Sequence, residues 1–292
     1  MKGVWDYGLL CLLSVVWGSA FVFIKVAGES IDPLMLATLR VAIGGAALAL
    51  LALVRGRAWP RKLATWGRLF FLGIVGNALP FMLVAWGERY VESALAAIIM
   101  GLIPLGVLVI AHFTTHDEKW RPSQALAVAL GFAGIVTMVG WDALGGLGSN
   151  VFGQCVILGA ACSYSFYGVT SKKLEPVAPE VGVAGMLLMA SLVMIPLTLV
   201  FSGGAAVEWR WVGPMLWLGI VCTGGGNLLF LMLLRRTGAN FVSLNNYLVP
   251  LVGLIGGAVA LGERPGPNAL LALTLILAGL ALPRLRLFQR PA

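Results

Sequence analysis

Charge is scarce in this 292-residue chain: Asp, Glu, Lys and Arg make up 11% of it, and there are two histidines. The twelve acids (Asp6, Asp32, Asp117, Asp142, Glu29, Glu88, Glu92, Glu118, Glu175, Glu180, Glu208 and Glu263) all fall in polar breaks or at the ends of apolar runs. No carboxylate is therefore expected near the middle of a bilayer. Proton-driven pumps usually carry such relays, so facilitated or weakly coupled movement is the expectation. The four cysteines, Cys11, Cys155, Cys162 and Cys222, have neither paired spacing nor a ligand cluster, which removes a zinc site and leaves them as small packing residues. His112 and His116 share the i, i+4 spacing of a metal pair, but no distant ligand accompanies them, so no metal and no other cofactor is expected. An H-E-x-x-H stretch is absent, and a membrane serine protease would need a buried His or Lys partner for its nucleophile, so the chain does not read as an enzyme.

What is plentiful is apolar sequence. At 60% hydrophobic residues, the chain has repeated runs longer than the roughly 18 residues of a membrane-crossing helix, which excludes a soluble fold. Ten segments emerge: 5–27, 33–54, 65–87, 93–113, 123–142, 150–171, 180–201, 211–234, 240–261 and 268–287. The short loops leave no room for a soluble domain. The first run, Trp5 to Val26, is too long for a signal-peptide core and reads as a retained helix.

The net charge of +8 lies in those loops and forms no helical stripe, so no nucleic-acid partner is implied. Most Lys and Arg fall in alternate loops, among them Lys2, Arg55, Arg57, Lys119, Lys172, Arg235 and Arg284, which predicts both termini in the cytoplasm of a multi-pass inner-membrane protein. Trp5, Trp59, Trp66, Trp86, Trp120, Trp141, Trp209 and Trp211 lie near segment ends, where interfacial aromatics belong.

The second half echoes the first. "FFLGIVGNALPF" at 70–81 resembles "LWLGIVCTGGGN" at 216–227, Pro104 and Pro250 share the same 146-residue separation, and "FAGIV" at 132–136 aligns with "LAGLA" at 277–281. Two repeats, 1–145 and 146–292, are expected. Five helices in each would insert the second copy from the opposite face, the inverted arrangement of many secondary transporters.

"VVWGSAFVFIK", Arg40 after "DPLMLATLR", and "LGERP" with its echo "HDEKWRP" together resemble the ten-helix EamA-type branch of the drug/metabolite transporter superfamily, and within it the YddG-like amino-acid exporters. The resemblance spans nearly the whole chain and implies an all-α membrane protein with a central cavity reached alternately from each face. The small four-helix members of that superfamily carry a first-helix glutamate, whereas Trp17, Gly18 and Ser19 occupy the corresponding stretch here.

Matched helix breakers point to the substrate path, since unwound backbone is tolerated in a membrane only where it lines a cavity or is buried in protein. Pro80 after Asn77, the run Gly224, Gly225, Gly226, and the pair Pro104 and Pro250 are the expected breaks or hinges. Trp17 with Phe21, Asn77 with Phe81, Tyr164 with Tyr167, and Ser243 with Asn246 and Tyr247 share helical faces, and with Asn227 they form the expected substrate-binding set. The amides suit a zwitterion, though helix-to-helix hydrogen bonding is their plainer use. Trp17 suits an aromatic wall. Arg40 is expected to snorkel or to pair with Glu88 or Asp32, and Glu118 and Glu263 to cap or pair. Gly253 and Gly257 suit close helix packing.

The predicted function is export of small amphipathic metabolites, amino acids with aromatic or large apolar side chains foremost. A broad drug or metabolite exporter, taking organic cations or nucleosides, is the alternative. The bilayer and a small-molecule substrate are the only partners implied, with no obligate protein partner.

Overall fold

A computed structural model describes residues 3–114, 122–139, 149–171, 177–202, 208–242 and 244–282, and among these every regular element is helical. In chain order they are α1 (Val4–Gly28), α2 (Pro33–Val54), α3 (Leu63–Gly73), a π-helical turn (Ile74–Ala78), α4 (Leu79–Gly87), α5 (Ser93–Met100), α6 (Ile103–Thr114), α7 (Pro122–Val139), α8 (Ser149–Thr170) and α9 (Pro179–Phe201). A 3-10 turn (Trp209–Trp211), α10 (Val212–Leu216), a longer π-helical stretch (Trp217–Gly225), α11 (Gly226–Thr237), α12 (Ala239–Val242), α13 (Asn245–Leu261) and α14 (Pro267–Ala281) follow.

Local sequence sets the helix starts. Asp32 accepts bonds from the Leu34 and Met35 amides at 3.0 and 3.4 Å, with Pro33 in the first turn of α2, and prolines also open α9 and α14. Gly262 ends α13 at φ +67°, a left-handed conformation that favours glycine.

Among the described residues, seven helical spans are long and apolar enough to cross a membrane, three of them (Leu63–Gly87, Ser93–Thr114 and Trp209–Thr237) assembled from broken pieces. Shorter apolar helices cover Ala125–Gly134, Asn245–Leu261 and Pro267–Ala281. One predicted segment differs. Residues 240–261 were expected as a single helix, yet α12 stops at Val242 and α13 begins at Asn245.

Large apolar side chains such as Leu192, Leu199, Val200, Ile255 and Val259 stand exposed, while Ser14, Arg40, Asn77, Glu88, Thr223 and Asn245 are buried. That inside-out distribution fits a lipid surround, because lipid tails accept apolar groups and buried polar groups need partners.

Helix α2 packs on α9, α7 on α14, and α5 on α13. In addition α1 meets α13 and α11, α8 meets α6 and α4, α2 meets the 217–225 π stretch, and α3 meets α9. Glycines set the closest approaches. A methyl group at Gly279 would come 2.8 Å from the Ala127 carbonyl, and one at Gly134 would come 3.1 Å from that of Ala272.

Contacts also group the helix ends into two rims. At one, Arg57 and Arg55 pair with Glu180 at 2.8 and 3.5 Å, and Arg236 pairs with Asp6 at 2.6 Å. At the other, Lys25 donates to the Glu88 and Val91 carbonyls at 2.5 and 2.6 Å, and Ser202 donates to Asp32 at 2.9 Å. Glu263 at this rim takes the Ser93 amide at 2.8 Å, with the Ser93 hydroxyl and the Ala94 amide each at 3.0 Å, and so caps α5 from the far end of the chain.

Candidate transport site

Two π-helical breaks organise the interior. Pro80 has no amide hydrogen to give the Gly76 carbonyl, which weakens an α-helix at that point. Just upstream the ladder slips: the Leu79 amide reaches back five residues to Ile74, and the Val75 carbonyl it skips accepts the Ser163 hydroxyl at 2.7 Å. In the second break, glycines at 224–226 lower helix propensity, and the Gly226 amide bonds Val221 five residues back. The Cys222 carbonyl accepts the Trp17 indole N–H at 3.2 Å, and the Thr223 carbonyl accepts the Asn227 amide at 2.7 Å. Each broken helix is thus held by a side chain from another helix, α8 in one case and α1 in the other.

An aromatic ring lies on each break. A methyl group added to Gly76 would collide with the Tyr167 ring, and one added to Gly226 would collide with the Trp17 indole. Trp17 also packs on Phe230 with centroids 5.4 Å apart, while Tyr164 faces Phe81 at 6.5 Å.

The structure brings Asn77, Phe81, Tyr164 and Tyr167 together along α4, α8 and the first π turn, and Trp17 and Asn227 at the second. Asn77 is 4% exposed. Phe21 is buried in the apolar core beside Gly253. Asn246 and Tyr247 are half-buried near the start of α13, and Ser243 lies outside the described residues. Pro80 and Pro104 are second residues of α4 and α6, next to breaks. Gly224 and Gly225 close the second π stretch, and Gly226 opens α11. Pro250 requires a correction: α13 runs through it, because a missing amide near the start of a helix removes a single bond. Asn245 joins helices, its carbonyl oxygen accepting the Ser14 hydroxyl at 2.8 Å. No metal cluster occurs among the described residues, and His116, Glu118 and Lys172 lie outside them.

Arg40 departs most from expectation. It neither snorkels nor pairs: it is 5% exposed, its guanidinium sits 4.0 Å over the Phe81 ring, and it makes no hydrogen bond or ion pair among the described residues. Asp32 is engaged in capping α2, and Glu88, itself 2% exposed, leaves both carboxyl oxygens unpartnered. A cation of this kind is held by the ring quadrupole, and its Nε has no partner among the described residues.

The sequence pattern of the EamA-like transporter family matches residues 4–140 and 151–284. The chain belongs to this family. EamA-like proteins are membrane transporters and not enzymes. The chain is similar to the uncharacterized transporter YoaV of Bacillus subtilis, with 24% identity over 92% of each chain. It is 26% identical to the uncharacterized inner membrane transporter YedA of Escherichia coli, covering 98% of this chain and 92% of that one. A probable terminal-alkyne amino-acid exporter of Streptantibioticus cattleyicolor is 27% identical, over 99% and 95% respectively. A crystal structure 21% identical to this chain superposes with a TM-score of 0.69 over 96% of both, a likeness of fold alone.

Proposed function

We propose that this EamA-like protein exports small amphipathic metabolites, amino acids with aromatic or large apolar side chains foremost, across an inner membrane with both termini cytoplasmic. It works by alternating access between two oppositely inserted five-helix halves, 1–145 and 146–292. The observation that carries the reading is the pair of π-helical breaks, one in each half, each overlain by an aromatic ring from the first helix of the other half. Interior backbone freed from the α ladder is tolerated in a membrane where it is buried in protein or lines a cavity, and π-helical turns are frequent at functional sites.

The packing supports two related halves. The Gly279 contact to Ala127 and the Gly134 contact to Ala272 are one relationship written twice, because each residue of the first half is 145 positions from its counterpart. Such self-complementary contact belongs to two-fold interfaces. Helix pairs exchange in the same way: α1 with α13 answers α8 with α6, and α1 with α11 answers α8 with α4.

Trp17, Tyr164, Tyr167 and Phe81 supply apolar and aromatic surface, while Asn77, Asn227 and Asn246 supply amides for a zwitterion's polar end. The relative named as a probable amino-acid exporter supports that substrate class. Counterflow into liposomes containing the purified protein, run with the twenty amino acids and a set of cationic dyes, tests the reading. Accelerated exchange of aromatic or branched amino acids is expected. Exchange of dyes alone would replace it with the broad drug exporter.

A further inference from the structure

Resting on that transport reading, we infer that Arg40 is the docking point for the substrate's carboxylate, held with help from the Asn77 amide at the neighbouring π turn. A cation inside a membrane protein is costly, and one within reach of an interface ordinarily extends to water or finds a carboxylate. Arg40 does neither. Its guanidinium carbon stands 4.0 Å over the centre of the Phe81 ring, and its Nε has no hydrogen-bond partner among the described residues. Asn77 stands four residues before Phe81, at the π turn, and is 4% exposed. A buried guanidinium with an unpartnered Nε and a buried amide four residues before the ring it stands over match what a planar anion needs: a guanidinium fork for both oxygens and an amide for one.

The obvious internal partner is held away. Glu88 is buried close enough to share an electric field with Arg40 yet makes no ion pair with it, and Lys25 is anchored to the Glu88 and Val91 carbonyls. Tyr164 and Cys222 also lie within electrostatic reach of Arg40, which places the guanidinium between the two broken helices. A ligand carboxylate arriving there replaces lost hydration with charge-assisted bonds, whereas an uncharged carboxamide gains far less. The class of substrate is therefore narrower than amphipathic metabolites: the molecule carries a free carboxylate.

The test uses the full-length protein in liposomes with radiolabelled L-phenylalanine, L-leucine, their carboxamides and phenethylamine. Flux of the acids about tenfold or more above that of the carboxamides is expected, with the preference collapsing to within about twofold in R40Q through loss of acid flux. R40K, which keeps the charge but not the planar fork, is expected in between. Equal flux of acids and carboxamides through the unaltered protein would overturn this inference and leave the exporter standing, and so would an unchanged preference in R40Q. Should R40Q fail to fold, the analogue comparison on the unaltered protein still decides. Flux of phenethylamine and dyes with none of the amino acids would overturn both the inference and the amino-acid reading.

Discussion

Gly279 lies so close to the carbonyl of Ala127 that a methyl group in place of its hydrogen would stand 2.8 Å from that oxygen. The obstacle is backbone, so no rotamer change relieves it. G279A is expected to destabilise the protein by about 1–3 kcal/mol, the usual range for overpacking. G134A, whose nearest obstacles are the flexible Ile276 side chain at 3.0 Å and the Ala272 carbonyl at 3.1 Å, is expected to cost less. Melting of the two variants in detergent checks the order.

The two adjacent asparagines of α13 should part company on substitution. Asn245 is bonded to Ser14 inside the protein, so N245L is expected to lower stability by about 0.6 kcal/mol, the average for interhelical hydrogen bonds in membranes. N246L, at a half-buried position, is expected to remove flux and leave the folded yield nearly normal. Paired measurements of monodisperse yield and counterflow separate the two, and a collapse in N246L yield would assign that residue to helix packing.

Trp17 holds the second π stretch through one N–H. W17F keeps a ring over Gly226 and removes the bond to Cys222, so exchange is expected to slow several-fold with little change in melting temperature. If W17F matches the unaltered protein in exchange, the bond has no part in transport.

Burial, and then the neighbouring Glu263, push the Glu92 carboxyl above its ordinary range. A carboxyl with a raised folded pKa binds its proton more tightly when folded, so stability is greatest below the unfolded pKa and declines as pH rises through the folded one. E92Q is therefore expected to melt higher than the parent at neutral pH and level with it in strong acid. A pH series of thermal melts shows the two curves parting as pH rises.

Much of the helical layout is legible from apolar run length and polar punctuation. The segment read as 33–54 is α2 to the residue, because Asp32 and Pro33 form a cap and first turn that need no tertiary partner. The break between Val242 and Asn245 is not legible. Just before it, Phe241 and Val242 pack among Leu10, Leu13 and Leu233, which are distant in sequence. The site divides the same way. Periodicity puts Asn77 and Phe81 on one face, but it cannot say where a long side chain from another helix comes to rest. The place of Arg40 eight residues into α2 points to snorkelling or to a pair with Glu88 or Asp32, whereas its guanidinium stands inside over Phe81, 41 residues on. Ser163 and Cys222 were likewise unremarkable as a helical serine and a packing cysteine until the slipped ladders gave them roles.

The seam of α7 and α14 has no slack, since at Gly134 and Gly279 backbone already touches backbone. A joint with no room to slide moves as one piece, so under the transport reading proposed above this pair is expected to turn as a unit. Spin labels placed on the two helices would keep one separation throughout turnover.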